Sequence, residues 1–272
     1  MLQTTWMDTL SAGAVKLNRS VPADLKVAFP FYGDVLDEYA RAQDVPLTAD
    51  IQTKGEEPND AFLQFQAEVA DDLRKRAGIT DAQIEQEFGD DPTEKGPLNW
   101  RWVQAILRAL DKNVGGLSAR SIELVLRDVY LYTSHAGVRD EVDTIVRAAF
   151  TDEPTVVIAH SLGTVVAYSV MRNDPRGLKV PLYVTVGSPL GIRAVRDPFR
   201  PLRYPKPVGA WYNAFDKRDV VALNPLDATS FPVTPAVENN DTVLNHTDNR
   251  HGIVGYLGDP NVVVHILDAL KG

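Results

Sequence analysis

Ser161 is the residue whose surroundings best suit nucleophilic chemistry. It follows a run of mostly β-branched residues at 155–159 and precedes an apolar segment of helical period. A serine on a sharp strand-to-helix turn needs small neighbours two positions to either side, because the adjacent backbone passes very close. Ala159 and Gly163 meet that need. The turn would also aim the N–H of Leu162 at the space above the hydroxyl, where it can stabilise a developing oxyanion. The alternative role for Ser161 is an ordinary helix N-cap.

A nucleophilic serine needs a base, and the base needs an orienting carboxylate. Two aspartates, Asp216 and Asp219, come directly after the apolar run at residues 211–215. Either could instead be a turn residue that hydrogen-bonds its own backbone. The residues alone therefore leave both acids open.

The base must come from the five histidines of the chain. We expect His160 to point to the other side of the turn, His265 to be a packing or surface residue of the terminal helix, and His246 to be solvated in an Asn- and Asp-rich loop. The two others are His135, which lies in or beside a polar helical segment and is the weakest candidate, and His251.

The segment at residues 159–163 resembles the G-x-S-x-G nucleophile turn of α/β-hydrolases, with Ala159 in place of the first glycine. A Val-Gly-Ser-Pro-Leu run follows at residues 186–190. Together they resemble the bacterial lipase-like and lecithin:cholesterol acyltransferase-like members of that superfamily, over residues 138 to 272. The resemblance implies a serine hydrolase that cleaves carboxylic esters, with no metal and no organic cofactor.

The same resemblance selects among the candidate partners of Ser161. In this superfamily the chain order is serine, acid, histidine. Asp219 directly precedes a Val-Val pair, as the acid does in lipase-like enzymes, and His251 is followed by a Gly-Tyr-Leu stretch like that of their histidine loop. The implied catalytic set is therefore Ser161, Asp219 and His251, with the amide of Leu162 in the oxyanion hole.

The elements that would position these residues alternate between strands and helices. Continuous apolar runs at residues 155–159, 182–186 and 209–215 predict strands, and the first is expected to be buried on both faces. Segments with a helical period lie between these runs. This alternation predicts an α/β fold with a mostly parallel open sheet flanked by helices. Helices are expected at residues 6–17, 60–77, from Thr80 to near 89, at 99–110, 118–132, 138–150, 162–172 and 262–270, with a loop at 89–96.

The polar, charge-rich stretch at residues 34–136 has a helical period and little that would suit a central strand. We interpret it as a helical insertion that caps the site, with residues 1–33 and 137–272 as the hydrolase core. In that core, residues 25–31 are expected to form a strand. The superfamily places another strand, with a second oxyanion donor, before the helix at 6–17. We expect that strand to be lost from this sequence, or residues 29–33 to take its place.

Composition narrows the classes of partner. The 272 residues carry a formal net charge of -9 and no cysteine, which argues against nucleic acid and excludes disulfides and thiolate chemistry. We expect no transmembrane segment, no export signal and a cytoplasmic location. A small-molecule or lipid-like acyl substrate is favoured. The alternatives are a peptide or amide hydrolase with the same triad, or a weakly active binding or regulatory protein on a hydrolase scaffold.

Overall fold

The computed structural model describes residues 2–43, 45–47, 51, 59–89, 96 and 99–271. Within these ranges the sheet has four parallel strands in the order β1-β2-β3-β4. The strands are β1 (Val157–His160), β2 (Val180–Val186), β3 (Val208–Ala214) and β4 (Glu238–Asn240). The α/β architecture predicted from the sequence is therefore confirmed, with its parallel sheet and flanking helices.

Helices make up most of the remaining described chain. The first seven precede the sheet: α1 (Leu2–Lys16), α2 (Gly33–Ala42), α3 (Asp60–Ala77), α4 (Asp81–Phe88), α5 (Trp100–Val114), α6 (Ala119–Ser134) and α7 (Ala136–Ala148). The others are α8 (Leu162–Asn173), the short α9 (Arg193–Arg196), α10 (Ile253–Leu257) and α11 (Pro260–Ala269). None of these described helices combines the length and apolar character needed to span a bilayer.

Local capping sets several of these boundaries where the sequence predicted them. Thr80 and Gln83 form a reciprocal capping box at the start of α4, and Gly78 ends α3 in the left-handed conformation. One detail was wrong, because the cap of α3 is Asn59 rather than Asp60. The Asn59 side chain accepts a hydrogen bond from the amide of Phe62. Most of the loop expected at residues 89–96 lies outside the described residues.

The sheet is packed on both faces. On one face, α1, α10 and α11 pack against alternate residues of β2, namely Leu182, Val184 and Val186. On the other, Tyr183 and Trp211 belong to a larger apolar cluster. That cluster runs without a break from the sheet through α8 into helices α2 to α6, so the helical segment at residues 34–136 shares its core with α8.

The described part of the chain departs from two strand predictions. Residues 25–31 form no strand, since the amide of Leu25 bonds locally to the Pro22 carbonyl and Pro30 has no N–H to donate. Phe29 packs instead against Trp6, with 5.5 Å between ring centroids. Strand β1 is also less buried than expected. Only Ala159 is fully buried there, because β1 pairs with β2 alone among the described strands.

Candidate active site

Ser161 occupies the turn between β1 and α8 with a backbone conformation that residues other than glycine seldom adopt. Its φ is 53° and its ψ is -129°, and it is one of two non-glycine residues with positive φ among those described. Such a backbone costs about 1–3 kcal/mol and persists only where the surrounding structure enforces it. The Ser161 side chain makes no capping hydrogen bond to α8, so its hydroxyl does not serve as a helix cap.

The turn places the Ser161 hydroxyl against His251. Their Oγ and Nε2 atoms lie 2.8 Å apart, although the two residues are 90 positions apart in the chain. The loop that carries His251 is shaped by Asn245, whose side-chain amide donates to the carbonyls of Arg250 and Gly252. His251 is 4% exposed, so solvent does not compete strongly for its ring.

The other ring nitrogen of His251 meets Asp219. Nδ1 lies 2.8 Å from Asp219 Oδ2, and Asp219 is fully buried. Its Oδ1 accepts from the amide of Val221, so the carboxylate also caps the short 3₁₀ turn Val220–Ala222 after β3. A carboxylate accepts the Nδ1–H of a neutral imidazole, which leaves Nε2 free to accept the serine proton. The three residues therefore form one continuous hydrogen-bonded chain.

Asp216, the competing acid, lies close by and has a different role. Its carboxylate receives a bidentate pair from Arg218 and a backbone bond from the amide of Asn245. Burial opposes ionisation, but these hydrogen bonds hold the pKa of Asp216 below its ordinary value. Asp216 thus ties the loop after β3 to the histidine loop, and its carboxylate is not bonded to His251.

The four remaining histidines have different surroundings from His251. His246 is exposed, and the ring of His265 stacks on that of Tyr212 with 3.8 Å between centroids. His135 immediately precedes α7 and lies beside Tyr130. His160 is closer to the site than expected: its Nε2 lies 2.6 Å from the carbonyl oxygen of His251, and the two rings are 4.7 Å apart. Because a carbonyl only accepts, His160 must donate. Burial, with the nearby His251, lowers the pKa of His160 to about 3, so its ring stays neutral.

Gly187, the residue directly after β2, occupies a position that has little room for a side chain. Its φ is +58°, and a methyl group there would stand 3.2 Å from Asp219 Oδ2 and equally close to ring carbons of His160 and His251. Contacts that short are tighter than ordinary packing allows. The Val-Gly-Ser-Pro-Leu run therefore supplies the space in which the acid and the two histidines meet.

The amide expected in the oxyanion hole belongs to Leu162, at the N-terminus of α8. Leu162 is the first residue of α8, so its N–H has no acceptor within the helix. Of residues 29–33, considered above as a source of a second oxyanion donor, Tyr32 comes near Gly163: its hydroxyl lies 3.5 Å from where a Cβ on Gly163 would stand. Within the described ranges, no group of three or more His, Cys, Asp or Glu residues is arranged to hold a metal ion.

An open cleft of about 570 Å³ lies elsewhere at the carboxyl ends of β3 and β4. Arg76, Lys217, Asp227 and Asp241 line it together with apolar side chains. Its lining includes no member of the Ser161, Asp219 and His251 set, so its size alone does not make it the substrate site.

No family model matches the chain, and neither a curated protein nor a solved structure matches it. The class that the described residues define is an α/β protein with a parallel sheet, and the chemistry of the site has to be argued from its geometry.

Proposed function

We propose that this chain is a serine hydrolase that cleaves carboxylic esters through an acyl-enzyme on Ser161. The observation that carries the proposal is the unbroken chain from Ser161 Oγ to His251 to the buried Asp219, with 2.8 Å at each step. A serine, a histidine and an acid with these contacts perform acyl transfer on several unrelated folds. The strained backbone of Ser161 favours the same conclusion, because such strain concentrates at functional sites.

The geometry supports a two-step reaction. Ser161 Oγ attacks the ester carbonyl carbon while His251 Nε2 takes its proton, and the Leu162 amide donates to the resulting oxyanion. Collapse breaks the bond to the leaving alcohol, which receives the proton from His251. Water then attacks the acyl-enzyme, giving its proton to His251, and the acid departs as Ser161 regains a proton. The Asp219 carboxylate keeps its hydrogen bond to Nδ1 of His251 and stabilises the imidazolium.

We further propose that residues 34–136 act as a cap over this site. Two contacts support a working connection between the helical segment and the loop that carries Asp219. Arg76 on α3 donates to the carbonyl of Leu223, and the Asp72 carboxylate accepts from the Asn224 side chain. A cap that shapes the pocket would set the acyl specificity, and lipid-like acyl groups fit the lipase-like pattern of the sequence.

A fluorophosphonate probe tests the proposed reaction directly, because it labels only an activated serine. We expect wild type to be labelled and Ser161→Ala to be unlabelled, while Ser118→Ala, which removes a serine that does cap a helix, keeps full labelling. Parallel assays with p-nitrophenyl esters and matching anilides separate esterase from amidase activity. Absence of labelling in folded wild-type protein contradicts the proposal and favours a binding role.

A further inference from the structure

A second buried side chain contacts the acid of the proposed triad. Tyr256 lies on α10, five residues after His251, and is fully buried. Its hydroxyl donates to Asp219 Oδ2 at 2.6 Å, the same oxygen that receives Nδ1–H of His251. The backbone amide of Asp216 donates to the Tyr256 oxygen at 3.3 Å.

These contacts fix the direction of the hydroxyl proton. A backbone N–H can only donate, so Asp216 engages a lone pair of the phenol oxygen, and the proton points at Asp219. Burial and the adjacent charge of Asp219 raise the pKa of Tyr256 well above its usual value, so the phenol remains a donor at every working pH. Asp219 therefore has three donors: the amide of Val221, the ring of His251 and the phenol.

We infer that Tyr256 is a positioning residue of the triad, whose hydroxyl orients the Asp219 carboxylate and sets how strongly the Asp219–His251 pair holds a proton. The inference rests on the proposed hydrolase function. The phenol bond is strongest when Asp219 faces a neutral imidazole and weaker when an imidazolium shares the same oxygen. It thereby favours the neutral form of His251, which is the form that can accept the serine proton.

Tyr256→Phe removes this bond and keeps the ring. In the variant, Asp219 has one donor fewer and attracts the imidazolium more strongly, so the acid limb of the labelling rate should move to higher pH by about half a unit to one unit.

Tyr132→Phe is the matched control. Tyr132 on α6 is also fully buried and donates to a buried carboxylate, Asp143 Oδ1, at the same 2.6 Å, but it has no contact with the triad. It should lose a comparable amount of stability while the pH profile of labelling stays where it is in wild type. The comparison separates a change in the triad from a general loosening of the core.

The experiment measures fluorophosphonate labelling rates of wild type, Tyr256→Phe and Tyr132→Phe between pH 5 and 9. A shifted acid limb in Tyr256→Phe alone supports the inference, and an unmoved limb, or equal shifts in both variants, overturns it. Should Tyr256→Phe fail to fold, a 3,5-difluorotyrosine at position 256 strengthens the donor, and the limb must then move to lower pH. Unlabelled wild type would refute the proposed function itself, which is a different result.

Discussion

At the scale of single residues, the strained backbone of Ser161 lowers the stability of the fold and positions the hydroxyl beside His251. Its φ of 53° brings the hydroxyl to His251, and that conformation is one that glycine adopts without penalty. The strained backbone at Ser161 is therefore what places its Oγ within hydrogen-bonding distance of His251.

Replacing Ser161 by two small residues isolates this strain. Ser161→Gly relieves it, and after allowing for the greater flexibility of glycine in the unfolded chain, its free energy of unfolding should exceed that of Ser161→Ala by about 1 kcal/mol. Urea unfolding of the two variants measures the difference, and both lack the nucleophile, so activity does not enter the comparison. Equal stabilities would show that the turn is not strained.

The three residues of the proposed triad stand out in the sequence through short patterns and the resemblance to lipase-like enzymes, whereas the side chains around them do not. Small neighbours mark Ser161, and a paired aliphatic and a glycine mark Asp219 and His251. The other contacts of the site join residues that are far apart in the chain, so no short pattern reveals them. The phenol of Tyr256, for example, donates to Asp219, 37 positions earlier. The sequence also does not reveal that the histidine loop returns to His160, whose Nε2 lies 2.6 Å from the carbonyl oxygen of His251.

At the scale of elements, the turn after β2 controls how closely the triad can pack. Gly187→Ala combines a left-handed backbone with a methyl group 3.2 Å from Asp219 Oδ2. It should lower the labelling rate of Ser161 at least tenfold and reduce the free energy of unfolding by about 1 kcal/mol or more.

Gly177 provides the control for this variant. Its φ is +70°, but a methyl group there meets nothing within 4 Å. Gly177→Ala should therefore lose stability through the backbone alone and keep the wild-type labelling rate. If both alanine variants label alike, crowding around Asp219 has no part in the effect.

The elements themselves were predictable where a local signal fixes them. Capping residues such as Thr80 and Asn99 place the starts of helices, because each satisfies amides that the helix leaves free. Strands depend on partners elsewhere in the chain. The apolar stretch around Phe29 has the composition of a strand, yet it pairs with no described strand and packs by its ring on Trp6.

At the scale of the whole molecule, Asp72 joins the helical segment to the sheet's carboxyl edge. Its Oδ2 accepts from the amide of Arg193 and from the side chain of Asn224, both more than a hundred residues away. Among the described residues, Asp71, its neighbour on α3, pairs within the helix, with Arg74 and Lys75.

These adjacent aspartates give a sharp comparison. Asp72→Ala leaves two donors without their acceptor and should lower the free energy of unfolding by about 1–2 kcal/mol, whereas Asp71→Ala loses exposed helix pairs and should change it by less than about 0.5 kcal/mol. Thermal unfolding of both variants measures this. A larger loss in Asp71→Ala would mean that the connection through Asp72 contributes little.

The separation of Ser161 from His251 along the chain has a consequence for the order of events during folding. The turn itself is local, but its contact with the base closes a loop of 90 residues that includes β2, β3 and β4. Long-range closures of this kind come late, since their entropy is lost before their contacts form. If Ser161 acts as proposed, a nascent or partly unfolded chain thus carries an unreactive serine, which becomes nucleophilic only in the finished fold.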